Sequence, residues 1–297
     1  MIAASFNFLA MLSILVPTYN FDIRDLVKAL HNQCKKAGID FEILCHDDGS
    51  TDDSTSINKS VSQLENVVWV ENKVNRGRAA IRNQMANQVK FPYLLFLDCD
   101  SKIVRDEYIE AYIEQIPTSA VLVGGRVYLE EKPSLPELHL HWLYGRRREQ
   151  GKHIGFHSNN FLISKASFHQ TNFDESIKDY GHEDTLFGFE LERQGIPVEY
   201  LDNPTLHLGL EDAPIFLQKQ EAAINNLINL EVYQPGIRTR LRSTAKFLSA
   251  LGLNGILVKV FRSKRDFLRK KLFGPHPSLF ILDLYKIGYY LSARLPK

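Results

Sequence analysis

Cysteine is scarce in this chain of 297 residues. Cys34, Cys45 and Cys99 are odd in number, scattered and never in a CxxC pair. That excludes a disulfide framework and a thiolate zinc site, and it fits a reducing compartment. Long apolar runs are missing as well. No stretch reaches the roughly 18 apolar residues that a spanning helix needs. Residues 1–10 are fairly apolar but carry no basic n-region and no clear cleavage site, so they read as a poor signal peptide and a dispensable extension ahead of Met11. Both nucleotide-binding glycine signatures are absent. Val123-Gly124-Gly125-Arg126 lacks the G-x-G-x-x-G spacing and opens no clear helix, and no G-x-x-x-x-G-K-[ST] occurs. A dinucleotide fingerprint and a P-loop are therefore excluded. Internal repeats and low-complexity segments are also lacking.

Hydrophobic content of 44% with 24% charge is ordinary for a globular protein and sufficient for a sizeable core. The length permits one large α/β domain, or one domain with a helical appendage. Charge favours the second. Residues 236–297 hold 14 Lys/Arg against 2 Asp/Glu, whereas the rest holds 22 against 33, so a net charge of +1 conceals an acidic body and a basic tail. The expected organisation is a domain over 11–235 and a basic helical extension over 236–297.

Short apolar runs at 12–16, 41–45, 67–70, 93–97 and 120–123 read as strands. Helical patterns separate them at 23–36, which Gly38 closes, and at 77–89. Strands alternating with helices imply a mostly parallel sheet with helices on both faces, and ligands then sit beyond the carboxyl ends of the strands. Polar clusters fall there: Tyr19-Asn20, Asp47-Asp48 and Asp98-Cys99-Asp100 each follow an apolar strand. Beyond residue 125 the alternation breaks down. Residues 133–150 read as a long loop with aromatic and Arg content. Residues 160–164, 198–201 and 205–208 read as strands, 184–194 and 213–231 as helices, and the remainder as basic helix.

Three acidic clusters could carry chemistry, each with a plainer alternative. Asp98 and Asp100 flank one residue after a buried strand. Carboxylate oxygens there suit Mg²⁺ or Mn²⁺ bridging a diphosphate, or the pair is a solvated turn or helix cap. Asp47-Asp48-Gly49-Ser50 could accept hydrogen bonds from a base or ribose, or be a capped turn with Gly49 in special geometry. His182-Glu183-Asp184 opens a helix. A carboxylate there could act as a general base, or the acids simply complement the helix dipole. A zincin is excluded because position 186 is Leu. His207 follows a short strand and is either a structural histidine or a metal ligand.

Taken in order, these clusters resemble glycosyltransferase family 2. The match consists of Ser13-Ile14-Leu15-Val16-Pro17-Thr18-Tyr19-Asn20, Asp47 through Asp52, Asn75-Arg76-Gly77-Arg78-Ala79-Ala80-Ile81-Arg82-Asn83, the Asp98/Asp100 pair and Gly181-His182-Glu183-Asp184. Ile81 stands where the family usually has Ala. Phe173-Asp174-Glu175 is similar to the galactosyltransferase and chondroitin-polymerase branch. The resemblance covers roughly residues 12–210. It implies a GT-A (Rossmann-like) fold and inverting transfer from a nucleotide-sugar, by default a UDP-sugar, to a saccharide or lipid-linked glycan in cell-surface polysaccharide synthesis. It also implies roles. Pro17, Tyr19 and Asp48 line the base pocket, and Arg82 helps hold the nucleotide. Asp98 sits near ribose and metal, and Asp100 ligates Mn²⁺ or Mg²⁺. Asp184 is the catalytic base with Glu183 beside it, and His207 is a further metal or diphosphate contact.

In the tail, Leu253, Ile256, Leu257, Val260 and Phe261 keep helical spacing among crowded Lys and Arg. The stripe serves either an anionic membrane surface or a helical cap on the core. The expected location is cytoplasmic, with a peripheral place on the cytoplasmic face of a membrane left open by the tail. No nucleic-acid motif is present, so no nucleic-acid partner is expected. Two rivals differ in class. A nucleotidyltransferase would need a Gly-rich phosphate loop where Pro17-Thr18-Tyr19-Asn20 stands. A non-catalytic sugar-nucleotide or polysaccharide-binding module would not need both Asp100 and Asp184.

Overall fold

The computed structural model describes residues 11–116, 120–151, 156–177 and 180–294; the N-terminal extension lies outside them. The chain starts β1 (Met11–Thr18), α1 (Arg24–Ala37), β2 (Asp40–Asp47), α2 (Ser54–Asn58), β3 (Val67–Glu71), α3 (Arg78–Ala86), β4 (Tyr93–Leu97). Every other residue of β1 faces one side. Leu12, Ile14 and Val16 meet Leu26, Val27 and Leu30 of α1, while Leu15 meets Ala79 and Met85 on the opposite face. Helices thus cover both faces of a sheet in which β1, β2, β3 and β4 run parallel.

β5 (Ser101–Ile103), α4 (Tyr108–Ile113), β6 (Val121–Val123) and β7 (Arg126–Val127) follow. The expected loop over 133–150 is instead largely helical. A 3₁₀ turn at Pro136–Leu138 leads into α5 (His139–Tyr144) and a π-helical turn at Gly145–Glu149. The reason is tertiary. Leu140 is buried in one apolar cluster with Phe216 and Leu282, contacts from distant segments that local composition does not reveal.

Then come β8 (Asn160–Ser164), α6 (Lys165–Thr171), α7 (Glu183–Arg193), β9 (Val198–Tyr200), β10 (Thr205–His207) and α8 (Ala213–Tyr233). The large sheet has the order β3-β2-β1-β4-β8-β6-β9, with β8 antiparallel to both β4 and β6. A small sheet, β5-β10-β7, lies beyond the end of β4.

The basic region forms α9 (Arg240–Ala250), α10 (Asn254–Leu272) and α11 (Leu279–Arg294). These helices share apolar clusters with α8: Ile224 and Leu227 pack with Val258 and Tyr290, and Phe216 and Leu217 pack with Phe261 and Tyr285. The anticipated α10 stripe divides. Phe261 turns inward with Val258, whereas Ile256 and Val260 are 64% and 54% exposed. No single helix among the described residues is long and apolar enough to cross a membrane.

Candidate active site

The site is built at the carboxyl ends of β1, β2 and β4. After β1, Tyr19 is exposed and Asn20 takes a positive φ of 49°. The Asn20 amide N–H donates to Ser50 Oγ at 2.8 Å, joining the loops that follow β1 and β2. Pro17, the penultimate residue of β1, is half-buried.

Asp48 is buried. Its carboxylate accepts from the backbone N–H of Arg76 at 2.9 Å and of Gly77 at 3.0 Å. It therefore holds the loop that launches α3. Gly49, at φ 73°, lies under that loop, where a Cβ would meet the Val74 carbonyl carbon at 2.7 Å.

Arg82 on α3 is buried too. Its guanidinium donates to Asp98 Oδ1 at 2.6 Å and to the Arg78 carbonyl at 3.1 Å. The pair is well desolvated, with side chains 3% and 17% exposed. Breaking such a pair from one side leaves an unmatched charge. Arg82→Met is expected to destabilise the fold by about 3–5 kcal/mol, read as a fall in melting temperature by calorimetry. A melting temperature within a degree of wild type would show that Arg82 does not anchor Asp98.

Asp100 and His207 meet through strand pairing. β5 is antiparallel to β10 with Ser101 opposite His207, which brings the imidazole beside the preceding residue. His207 Nδ1 lies 3.5 Å from Asp100 Oδ2. Burial works against the Asp100 carboxylate, but His207, Arg126 and Arg78 together hold it well below the usual carboxylate range. Gly209 is required for close approach, since a Cβ there would sit 2.3 Å from Asp100 Oδ2. His207 Nε2 is buried without a hydrogen-bond partner. A buried imidazole whose Nδ1 faces a carboxylate and whose Nε2 has no partner fits a divalent cation. Among the described residues, however, no cluster of three Asp, Glu, His or Cys gathers around one point. The expected trio of Asp98, Asp100 and His207 is represented here by Asp100 and His207, with Asp98 turned to Arg82.

Asp98, Asp100, Glu183 and Asp184 nevertheless line one cleft of about 340 Å³. The three-residue approach to α7 is bent for this: His182 takes a left-handed φ of 69° and presents the two acids at the first turn. Their environments differ. Burial and the neighbouring Asp184 charge raise Glu183 above its usual value. Burial also opposes the Asp184 carboxylate, but His157, whose Nδ1 lies 3.4 Å from Asp184 Oδ2, and then the His182 charge pull it down to about 2. The Thr185 backbone N–H donates to Asp184 Oδ1 at 2.7 Å. Asp184 is thus the more acidic member of the pair.

Several cleft residues carry no signal strong enough to find in the sequence. Arg78 lies 3.7 Å from Glu183, with its guanidinium 4.7 Å from the Tyr180 ring centroid. Arg126, immediately after the two glycines, lies 3.5 Å from Glu149 and close enough to Asp98 and Asp100 to feel both charges. His141, two residues after His139, and His157, four after His153, belong to no recognised motif. Only Arg78 lay within a recognised motif, at a variable position.

Comparison with known proteins follows the same outline. The family described as Glycosyl transferase family 2 matches residues 13–175. Chondroitin synthase of Escherichia coli is 25% identical over 226 residues, 62% of this chain and 32% of that protein. Poly(ribitol-phosphate) beta-glucosyltransferase of Bacillus spizizenii is 38% identical over 105 residues, 34% of this chain and 16% of that protein. The chain therefore spans a third or less of these relatives. Among solved structures, a mannosyltransferase from Pyrobaculum calidifontis in complex with GDP-Man and Mn²⁺ has a TM-score of 0.59 at 13% identity, covering 96% of this chain and 88% of that one. That likeness concerns the fold, a GT-A arrangement.

Proposed function

This chain belongs to glycosyl transferase family 2, and from that premise we propose that it transfers a sugar, with inversion, from a nucleotide-sugar to a glycan hydroxyl. One observation carries the reading: Asp100 and Asp184, 84 positions apart, line the same cleft. In this reading Asp184 accepts the proton of the acceptor hydroxyl. That oxygen forms its bond to the anomeric carbon as the bond to the nucleotide's diphosphate oxygen breaks on the opposite side. The departing oxygen keeps the electron pair, and the configuration inverts. Arg78 and Arg126 supply positive charge where the leaving diphosphate develops negative charge. Asp100 and His207 would hold a divalent cation, whose chemistry there is to neutralise the leaving diphosphate. The Mn²⁺ and GDP-Man bound by the Pyrobaculum mannosyltransferase support a metal and a sugar nucleotide as ligands. A UDP-sugar donor and a lipid-linked or cell-surface saccharide acceptor are the finer choices we favour.

Arg82 and Asp48 act in this reading as supports. Arg82 fixes Asp98, and Asp48 fixes the loop before α3, while Pro17 and Tyr19, at the carboxyl end of β1, keep the base-pocket role that the family resemblance implies. The reading is tested by following nucleotide release from a panel of UDP-, GDP- and TDP-sugars with and without Mn²⁺. Release of one nucleotide, dependent on the cation, is expected. No release from any donor would overturn it.

We further propose a cytoplasmic location, in keeping with three free cysteines, and a helical extension over 236–297 that lies on an anionic membrane. The boundary rests on charge, because apolar packing continues across it. On α10, Ile256, Val260 and Phe267 form an exposed apolar stripe at helical spacing, opposite the buried Val258, Phe261 and Leu272. Lys259 and Lys270 flank one side of it, Lys264 and Lys271 the other. Phe247 and Phe280, 65% and 70% exposed, extend apolar surface onto α9 and α11. An apolar stripe between lysines suits the headgroup region of anionic lipid. Co-sedimentation with phosphatidylserine vesicles is expected at low salt, weakening as salt screens the lysines, and Phe267→Asp should abolish it. Equal sedimentation of wild type and variant would overturn the assignment.

A further inference from the structure

The cations of the cleft are matched unequally. Arg78 faces Glu183 at 3.7 Å, Arg126 faces Glu149 at 3.5 Å, and Lys219 hydrogen-bonds to Glu211. Lys286 of α11 differs from these three. Its ammonium donates to the neutral Gln220 Oε1 at 2.7 Å and stands 5.4 Å from the Tyr144 ring centroid. Among the described residues no carboxylate lies within 4.0 Å of it. Asp283, one turn earlier on the same helix, is taken by Arg148 at 2.8 Å. Arg240, at the start of α9, also lines the cleft and makes no ion pair among the described residues.

Position narrows the purpose. The Lys286 partner Gln220 lies one turn before Ala223 on α8, and Ala223 packs against Gly181, two residues before Glu183, so the lysine belongs to the end of the cleft where the candidate base lies. It is also held at a cost. Burial draws the ammonium down to about 8, against the weaker pull of Asp283 and Glu149. A half-buried ammonium on a packed helix, satisfied only by an amide, gains a charge-assisted hydrogen bond when an oxyanion enters.

We propose that Lys286, with Arg240 on the same cleft, forms an anion subsite for the acceptor, so that the glycan taken up here carries a carboxylate or phosphate near the hydroxyl to be glycosylated. The inference rests on the cleft being a transferase site, and it makes the basic extension part of acceptor selection as well as of the fold. The negative group neutralises Lys286 while Asp184 remains free to take the hydroxyl proton.

Calorimetric binding to the 297-residue chain tests this without turnover. Three probes are used: methyl β-glucoside, methyl β-glucuronide and glucose 6-phosphate. At least one anionic probe is expected to bind more tightly than the neutral one by about 10- to 100-fold, as for a charge-assisted hydrogen bond. Which one binds distinguishes a carboxylate from a phosphate acceptor. Lys286→Met should remove that advantage and leave the Kd of the neutral probe unchanged, while Lys286→Arg should restore most of it. Equal binding of neutral and anionic probes, or an advantage that survives Lys286→Met, would overturn the proposal. A tenfold rise in the KM for the donor in Lys286→Met would overturn it too, by giving the lysine to the nucleotide. Absence of donor cleavage by the wild type would count against the transferase reading alone, since the calorimetry needs no reaction.

Discussion

Asp184→Asn is expected to lower sugar transfer by about 10²–10⁴-fold, the usual worth of a general base, while donor binding stays within about twofold of wild type. The expectation follows from how differently the two adjacent acids are held. Glu183 is buried, raised above its usual value and faces Arg78. Asp184 opens to the cleft, accepts from the Thr185 backbone and stands against His157. Asp184 therefore combines the more acidic carboxyl with an open face to the cleft. Asparagine keeps the shape and the Thr185 hydrogen bond but cannot take a proton. The measurement is single-turnover transfer with titration of the nucleotide diphosphate as a separate readout. Wild-type turnover in the variant would remove Asp184 from its role, and lost nucleotide binding would move it to the donor side.

The pH dependence follows from the same contacts. The folded Asp184 value, about 2, lies below the ordinary 3.8. Its ionised form therefore favours the folded state above about pH 4, and that stabilisation is lost as pH falls through 2. Over the neutral range the base stays ready, so its own titration should place no acid limb on the transfer rate above about pH 4.

Asp100→Ala should remove cation-dependent activity, a loss of at least about 10²-fold where several kcal/mol of leaving-group stabilisation are withdrawn. Asp100 is suited to the part because neighbouring positive groups keep it charged, and because Gly209 leaves space directly at its Oδ2. The loss should match that produced in wild type by EDTA, and adding EDTA to the variant should do nothing more. Full wild-type activity in EDTA would contradict the assignment. His207→Ala should weaken the response to cation in the same sense. Its orphaned Nε2 and its register opposite Ser101 make it the second donor available among the described residues.

How much of this was legible beforehand depends on the range of the interaction concerned. The strands β1, β2, β3 and β4 and the helix α1 were readable within a residue or two, and α3 ends three residues before the expected 89. Their periodicity is local, and their apolar faces are needed wherever the sheet lies. The ordered motifs also disclosed the family, and with it the acids worth watching. The helices of 136–149 were not readable, because aromatic and arginine residues spaced like a loop become helical only when Leu140 finds Phe216 and Leu282. Nor could spacing divide the α10 stripe. Ile256 and Phe261 are equally apolar, and only the position of α8 decides which is buried.

The sequence by itself determined the alternation of strand and helix, the carboxylates placed just after β2 and β4, and the contrast between an acidic body and a basic tail. These are properties of neighbours along the chain. Tertiary structure alone decided that Asp98 would be held by Arg82, that Asp100 would find His207 rather than stand as a solvated turn, and that His157 would keep Asp184 ionised. It also decided that Lys286, more than a hundred positions from that base, would face the same cleft without a carboxylate of its own. A charge acquires its function from what it is buried against, and burial is set by strand register and helix docking between segments that no local pattern links.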